Sequence, residues 1–399
     1  MSEKTRFNVI IPTRERADVL FHCLRTVVNQ DYGNLNIIVS DNFSQDDTRD
    51  VVRSFSDPRI SYISPGLRMS MSSHWEFALS HVTDGFVTFL GDDDGLLPGA
   101  LKSLNKIIDE FRPDSINAPC ADYNWPENGT DKAWMLNIQK RRANKFYSSR
   151  QFLDDLMSGY LSYADGPLVY HGSFSKIDTI NDARDSNGIF FKSQTPDVYS
   201  AVALSLVTER FLRLKDPIAV GGRSRHSNGS SAQYRGAPSA PFETFRKEND
   251  TPIHPVLGGF SLTSIQMLSY ESLLQASHLH RLPTEMLARE MSLAVKLSAK
   301  DDRDDLVKTC HEIAKNNSIS WKPTWRESRF CFWVFFVWRE IRNEFFGLRT
   351  TFTTVDGKRY QLSDVYKASC WVVESRHSLS SLKQKWSSFR YKLSRLKTL

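Results

Sequence analysis

Four short apolar runs, each followed by a stretch with helical spacing, fill the first 111 residues. This alternation restricts the fold more than any other feature of the chain. The strands are expected at Phe7–Thr13 (FNVIIPT), Asn36–Asn42, Ile60–Pro65 and Gly85–Leu90. Between them, Ala17–Gln30 places Val19, Leu20, Leu24, Val27 and Val28 on one helical face. Ser44–Phe55, Ser70–Val82 and Pro98–Phe111 read as the next helices, with Ser, Asp or Pro near their starts. Repeated βα units of this length predict an α/β fold with a mainly parallel sheet flanked by helices. Ligands of such sheets bind beyond the carboxyl ends of the strands. Polar segments stand at three of those ends: PTRER, SDNFSQDD and GDDDG.

The last of these poses a problem. Asp92, Asp93 and Asp94 follow a buried-type strand directly, and adjacent carboxylates repel unless positive charge sits among them. A divalent cation, Mg²⁺ or Mn²⁺, is one answer, since hard cations take oxygen ligands and commonly bind through one or two carboxylates plus phosphate oxygens. If the segment is extended, Asp92 and Asp94 share a face and Asp93 points away. The alternative is a polar turn that caps the following helix.

Beyond Asp114 the signals are mixed. SINAPCADY, GPLVYHGSF and RLKDPIAVGG read as strands, and SSRQFLDDLMSG and PDVYSAVALSLVTERF as helices. A Gly-, Ser- and Pro-rich stretch, Gly221–Glu243, reads as a long loop of the kind that serves as a lid. Leu257–Asn316 reads as successive helices, the start of a mostly helical C-terminal region. The expected division is 1–243, 244–319 and 320–399.

The order and spacing of these motifs resemble the family 2 glycosyltransferases, which have the GT-A nucleotide-sugar fold. The resemblance runs from VIIPTRERADVLFHCLRTVVNQ through NIIVSDNFSQDDT to FLGDDDGLLPGAL, and covers roughly Phe7–Gly222. It implies that Pro12, Thr13, Arg14 and Asp41 flank the nucleobase. Asp92 and Asp93 would belong to the nucleotide site, Asp92 reaching the ribose, and Asp94 would hold the metal. Arg16 reads as a phosphate contact or an exposed helix-start arginine. Asp197, in QTPDVYSAVAL, stands where inverting members carry a catalytic base in an acidic pair; Pro196 precedes it here. Such a base takes the acceptor hydroxyl's proton; Asp165 and Asp182 are next in line, and a helix-start Asp is the plain alternative. His226 is placed on the metal, while Arg223, Arg225 and His171 are phosphate or acceptor contacts. The resemblance departs at His74–Trp75, where Asn is common, and at Gly91, which replaces an acidic residue.

The implied activity is a metal-dependent transfer from a nucleotide-sugar donor to a saccharide or lipid-linked saccharide, with inversion, in bacterial surface polysaccharide assembly. A nucleotidyltransferase would want a glycine-rich basic loop after the first strand, and PTRER has no glycine. A GT-A-like scaffold without turnover is the non-enzyme alternative.

Charge is unevenly spread. The net charge of +6 conceals 16 Lys and Arg against 6 Asp and Glu from Ser320 onward, interleaved with aromatics as in SLKQKWSSFRYKLSRLKTL. This points to an anionic partner at that end, either a membrane surface or none if the segment packs onto the rest of the chain. No nucleic-acid motif accompanies the charge. Five scattered cysteines without metal spacing fit a reducing compartment. The start of the chain shows no signal-peptide core, and the apolar run Phe330–Trp338 is far below the ~20 residues of a spanning helix. The expected location is cytoplasmic, or peripheral on the inner face of the cell membrane.

Overall fold

The computed structural model describes residues 5–127, 132–226, 247–258, 264–280, 286–298, 303–322, 337–338 and 351–375. Most of the expected lid, most of the aromatic run and the basic end from Arg376 lie outside the described residues.

The first four strands are β1 (Phe7–Thr13), β2 (Leu35–Asp41), β3 (Ile60–Ile63) and β4 (Phe86–Phe89). They are parallel, in the order β3-β2-β1-β4, with Thr13 level with Asp41 at the carboxyl end. Alternation along β1 explains why they form here. Phe7, Val9 and Ile11 enter one core and Ile10 the other, so both faces of the sheet are buried. The helices α1 (Ala17–Val28), α2 (Thr48–Arg53), α3 (Met71–Leu79) and α4 (Ala100–Phe111) alternate with the strands as expected.

The sheet then turns mixed. β10 (Phe174–Lys176) lies antiparallel between β4 and β6 (Ser115–Asn117), followed by β11 (Arg210–Arg213) and β9 (Lys145–Ser148). A second sheet runs β13 (Thr351–Asp356), β8 (Met135–Lys140), β7 (Cys120–Asn124), β12 (Ala219–Arg223), β5 (Gly95–Leu96). Two expected single strands are therefore split between sheets. SINAPCADY gives β6 and β7, and the stretch ending in AVGG gives β11 and β12.

The later helices do not build a separate core. Helices α5 (Ser149–Met157) and α7 (Pro196–Val207) share one apolar cluster with α8 (Ile265–Gln275), α9 (Met286–Leu297) and α10 (Arg303–Asn316). Nor does the expected division at Ser320 describe residues 351–375. There β13 extends the second sheet, and α11 (Val365–Glu374) buries Val365, Ala368 and Val372 in the cluster that contains α1. Tyr366 meets Arg25 of α1 and Asn29 just after it. Among the described residues no helix is long and apolar enough to cross a membrane.

Candidate active site

The three aspartates are buried at the end of β4, and each has its own partners. The segment is a turn rather than extended: Asp94 N–H donates to the Gly91 carbonyl at 3.0 Å. The side chains therefore diverge, contrary to the alternation expected of a strand. Asp92 Oδ1 accepts from the Arg16 guanidinium at 2.9 Å. Asp93 Oδ2 accepts from the Ser224 amide (3.1 Å) and hydroxyl (2.7 Å). Asp94 accepts from the amides of Gly91 (2.9 Å) and Gly222 (2.7 Å), and its Oδ2 lies 3.3 Å from His171 Nε2. Burial raises the proton affinity of Asp94 well above the carboxylate range, with Asp93 adding to it and the two amides opposing.

Two glycines make this packing feasible. A Cβ on Gly91 would lie 2.8 Å from Asp94 Oδ2 and 3.0 Å from the Tyr170 hydroxyl, which explains why no acidic side chain stands there. A Cβ on Gly222 would lie 1.8 Å from the Asp93 carbonyl oxygen, so only glycine lets β12 approach the turn.

Arg16 supplies a cation to the cluster. It is largely buried, and it also donates to the His226 carbonyl. Burial alone would lower its proton affinity, but Asp92 and Asp93 reverse this and raise it. The exposed reading of Arg16 is thereby corrected. His226 is corrected too: its ring nitrogen stands 3.2 Å from Asp18 and takes Arg225 Nε at 3.0 Å, so the backbone carbonyl, not the imidazole, meets the cluster. Arg225 likewise faces Asp18, at the start of α1, rather than the crevice. Asp93 ties the turn to Ser224 and does not face outward.

On the other flank, Thr13 and Asp41 stand side by side, and Pro12 is level with Ser40. Asp41 accepts from the Ser44 amide at 3.0 Å and from the Tyr62 phenol at 2.5 Å. The Thr13 hydroxyl is buried, and it works against the burial that raises the proton affinity of Asp92. Arg14 is ion-paired with Glu248, which also lies 3.7 Å from Arg68. His74 donates or accepts at Ser40 Oγ, 2.8 Å away, while burial lowers its proton affinity to about 4. Trp75 stacks on Phe89 at 4.2 Å in the core. The departure at His74–Trp75 is thus a packing solution beneath the crevice.

Asp197 sits in the first turn of α7, where Pro196 fixes the helix start. Burial raises the proton affinity of its carboxyl, against the opposing influence of the Val198 amide, the Tyr163 phenol and His171. His171 stacks on Tyr170 at 3.8 Å. Arg223 ends β12 directly after Gly222, whose amide binds Asp94. Tyr170 stands against the turn, its backbone bridging Phe89 and its hydroxyl 3.0 Å from where a Cβ on Gly91 would lie. Asp165 is bound to Arg213 at 2.7 Å and Arg141 at 3.4 Å. Asp182 is exposed at the end of α6 (Ile177–Asp182). Neither is placed to serve as a base.

Residues 8–166 match the family model described as glycosyl transferase family 2. The chain carries a family 2 glycosyltransferase domain. That match sets the nucleotidyltransferase alternative aside. A GalNAc(5)-diNAcBac-PP-undecaprenol beta-1,3-glucosyltransferase of Campylobacter jejuni is 38% identical over 108 residues, 26% of this chain and 35% of that protein. A UDP-Glc:alpha-D-GlcNAc-diphosphoundecaprenol beta-1,3-glucosyltransferase of Escherichia coli is 29% identical over 87 residues, 22% of this chain and 34% of that one. The chain thus spans about a third of the length of these curated relatives. Among solved structures, S. aureus TarS with UDP-GlcNAc is 16% identical with a TM-score of 0.47, over 78% of this chain and 89% of that one.

Family 2 domains typically work with a divalent cation. Among the described residues no group of three or more His, Cys, Asp or Glu is arranged to hold a metal. Asp94 nevertheless fits the role: among the described residues its partners are two backbone amides and His171, and its raised proton affinity marks negative charge that no guanidinium offsets. A single carboxylate with donor phosphate oxygens suffices for such an ion. Sequence reasoning missed Tyr163, Tyr170 and Ser224 in this domain. The Gly221–Gly222 pair was the one signal that the backbone comes close here.

Proposed function

We propose that the protein transfers a hexosyl group from a nucleotide-sugar donor to a saccharide or lipid-linked saccharide acceptor, with inversion at the anomeric carbon. Assembly of a bacterial surface polysaccharide is the setting that the undecaprenol-linked substrates named for two relatives support. The observation that carries the reading is that Thr13 and Asp41 end β1 and β2 level with one another, beside the buried aspartate turn that follows β4. Asp41 and Thr13 meet the nucleobase side of the donor. Asp94, with donor phosphate oxygens, holds Mg²⁺ or Mn²⁺, which when bound offsets the charge on the departing nucleoside diphosphate. Arg223 and His171 line the diphosphate and acceptor side.

Asp197 takes the proton of the acceptor hydroxyl as its oxygen bonds to the anomeric carbon and the bond to the diphosphate oxygen breaks. Burial, which raises its proton affinity, moves it toward the range in which a carboxylate works well as a general base. Arg16 neutralises Asp92 and fixes the turn, so that Asp92 is a support for the nucleotide site.

A melting-temperature panel of nucleoside diphosphates with Mn²⁺ or EDTA tests the donor site. At ligand ~100-fold above its Kd, binding stabilises by about 2.7 kcal/mol. No shift with any nucleotide would remove the glycosyltransferase reading. Binding without transfer to any acceptor would favour the scaffold.

A further inference from the structure

Glu248 lies beyond the residues that match the family model, yet it stands at the carboxyl ends of the first strands. It pairs with Arg14, the residue after β1, and its other oxygen lies 3.7 Å from Arg68, in the loop after β3. The strand order is β3-β2-β1, so β2 ends between these two loops, at Asp41. The Arg68 loop is clamped there. Asn42, next to Asp41, donates to the Met69 carbonyl at 2.9 Å and accepts from the Met69 amide at 2.8 Å. Arg68 also donates to Glu15 at 2.7 Å. The Glu15 amide donates to Ser44 Oγ at 2.9 Å, and the Ser44 amide donates to Asp41 at 3.0 Å. Since Thr13 is level with Asp41, these contacts close a ring around the end of β2.

Stability does not account for the ring. Its four charged side chains are 27–43% exposed, and ion pairs so placed add little. The ring also holds strain: Glu15 at φ 52° and Phe43, beside Ser44, at φ 60° are both left-handed, which is unusual for bulky residues. Such strain persists where the surroundings fix it, and it gathers at ligand sites. Glu248 is anchored from outside the ring as well. Asp250 accepts from Ser73 of α3 at 3.0 Å, and the Thr251 carbonyl accepts from Gln194 at 2.9 Å.

We propose that Arg14, Glu248 and Arg68 read the base edge of the nucleotide donor and select uracil or thymine. The inference rests on the donor site proposed above. A guanidinium only donates and a carboxylate only accepts, and each has capacity to spare after pairing. Arg14, Glu248 and Arg68 in sequence therefore offer donor, acceptor, donor. Uracil and thymine present carbonyl, ring N–H, carbonyl, which is the complement. Cytosine has an amino group and a bare ring nitrogen in place of one carbonyl and the N–H. Its amino group would face a guanidinium and its ring nitrogen the carboxylate. Guanine fails at its amino group, which would also face a guanidinium.

The test is titration calorimetry on the full-length protein with Mn²⁺ and UDP, dTDP, CDP or GDP. CDP is the sharpest control, because it differs from UDP only at the base edge. UDP or dTDP should bind at least ~10-fold more tightly than CDP and GDP, and whichever does so names the base. In Glu248→Ala this preference should largely vanish, through weaker binding of the preferred nucleotide with CDP little changed. A purely structural loss would weaken all four alike. Wild type binding CDP as tightly as UDP and dTDP overturns the inference, and so does an unchanged preference in folded Glu248→Ala. If Glu248→Ala does not fold, Arg68→Met, at the more exposed end of the ring, is read by the same outcomes. Failure of every nucleotide to bind would instead remove the donor site itself.

Discussion

Removing Arg16 probes how the aspartate turn is stabilised. Asp92 is 2% exposed and Arg16 21%, with 2.9 Å between the charged atoms. At an effective dielectric of about 20 the gross attraction at that distance is about 6 kcal/mol. Desolvation of both groups offsets much of this. Truncating one partner leaves the other buried and unpaired, which costs about 3–5 kcal/mol. Arg16→Gln should therefore destabilise the fold by about 3 kcal/mol or more, and Asp92→Asn by a similar amount. The double substitution should cost less than the sum, because no unpaired charge remains. Urea unfolding of the four proteins, followed by circular dichroism at pH 7, gives the coupling energy. We expect at least about 2 kcal/mol. Additive effects, with coupling below about 0.5 kcal/mol, would refute the claim that the guanidinium is what makes the triple aspartate tolerable.

Other perturbations have equally definite outcomes. Asp197→Asn should lower transfer by at least ~10²-fold with little change in donor binding, measured by kcat and by nucleotide titration. Gly91→Ala forces a Cβ against Asp94 Oδ2 and the Tyr170 hydroxyl, so Mn²⁺-dependent nucleotide binding should weaken while the melting temperature changes less. Burial raises Glu290, whose Oε1 is unpartnered, to about 7 from 4.5. Folding favours its protonated form, so this stability is complete below about pH 4.5 and lost as pH rises through about 7, about 3 kcal/mol in total. Glu290→Gln should remove that part of the pH dependence in urea titrations from pH 5 to 8. Truncation after Ser375 should abolish flotation on anionic vesicles at low salt without lowering the melting temperature. Truncation before Thr351 should lower it, since β13 and α11 are lost.

The parallel half of the fold was legible because its signals are local. Alternation in FNVIIPT and helical spacing in the following segment each span a dozen residues. The buried aspartate turn beyond β4 followed from strand-end logic, whereas Asp197, in the first turn of a helix, was marked only by the family resemblance. The cation of the turn was not legible, because Arg16 and Asp92 are 76 residues apart and nothing in either segment announces the pairing. GPLVYHGSF looked like one strand. Pro167, the left-handed backbone at His171 and Gly172, and the pull of Asn117 on the preceding turn leave only a bridge from Tyr170 to Phe89 and the short β10. The ring of His226 was misplaced because a sequence position after a strand does not say which way a side chain turns.

The pairing of β13 with β8 has a consequence for how the molecule is made. Residues Lys140 and Thr351 are hydrogen-bonding neighbours at the end of one ladder. A ribosome adding about 5–20 residues per second needs roughly 10–40 s to pass from one to the other. Throughout that interval the edge of β8 and the apolar surface that receives Val365, Ala368 and Val372 remain uncovered on the nascent chain. Unpaired edges and exposed apolar surface recruit other chains. Yield from cells should therefore depend on chaperone supply and on translation rate, and a gene shortened before codon 351 should give aggregates even though every residue of the crevice is encoded.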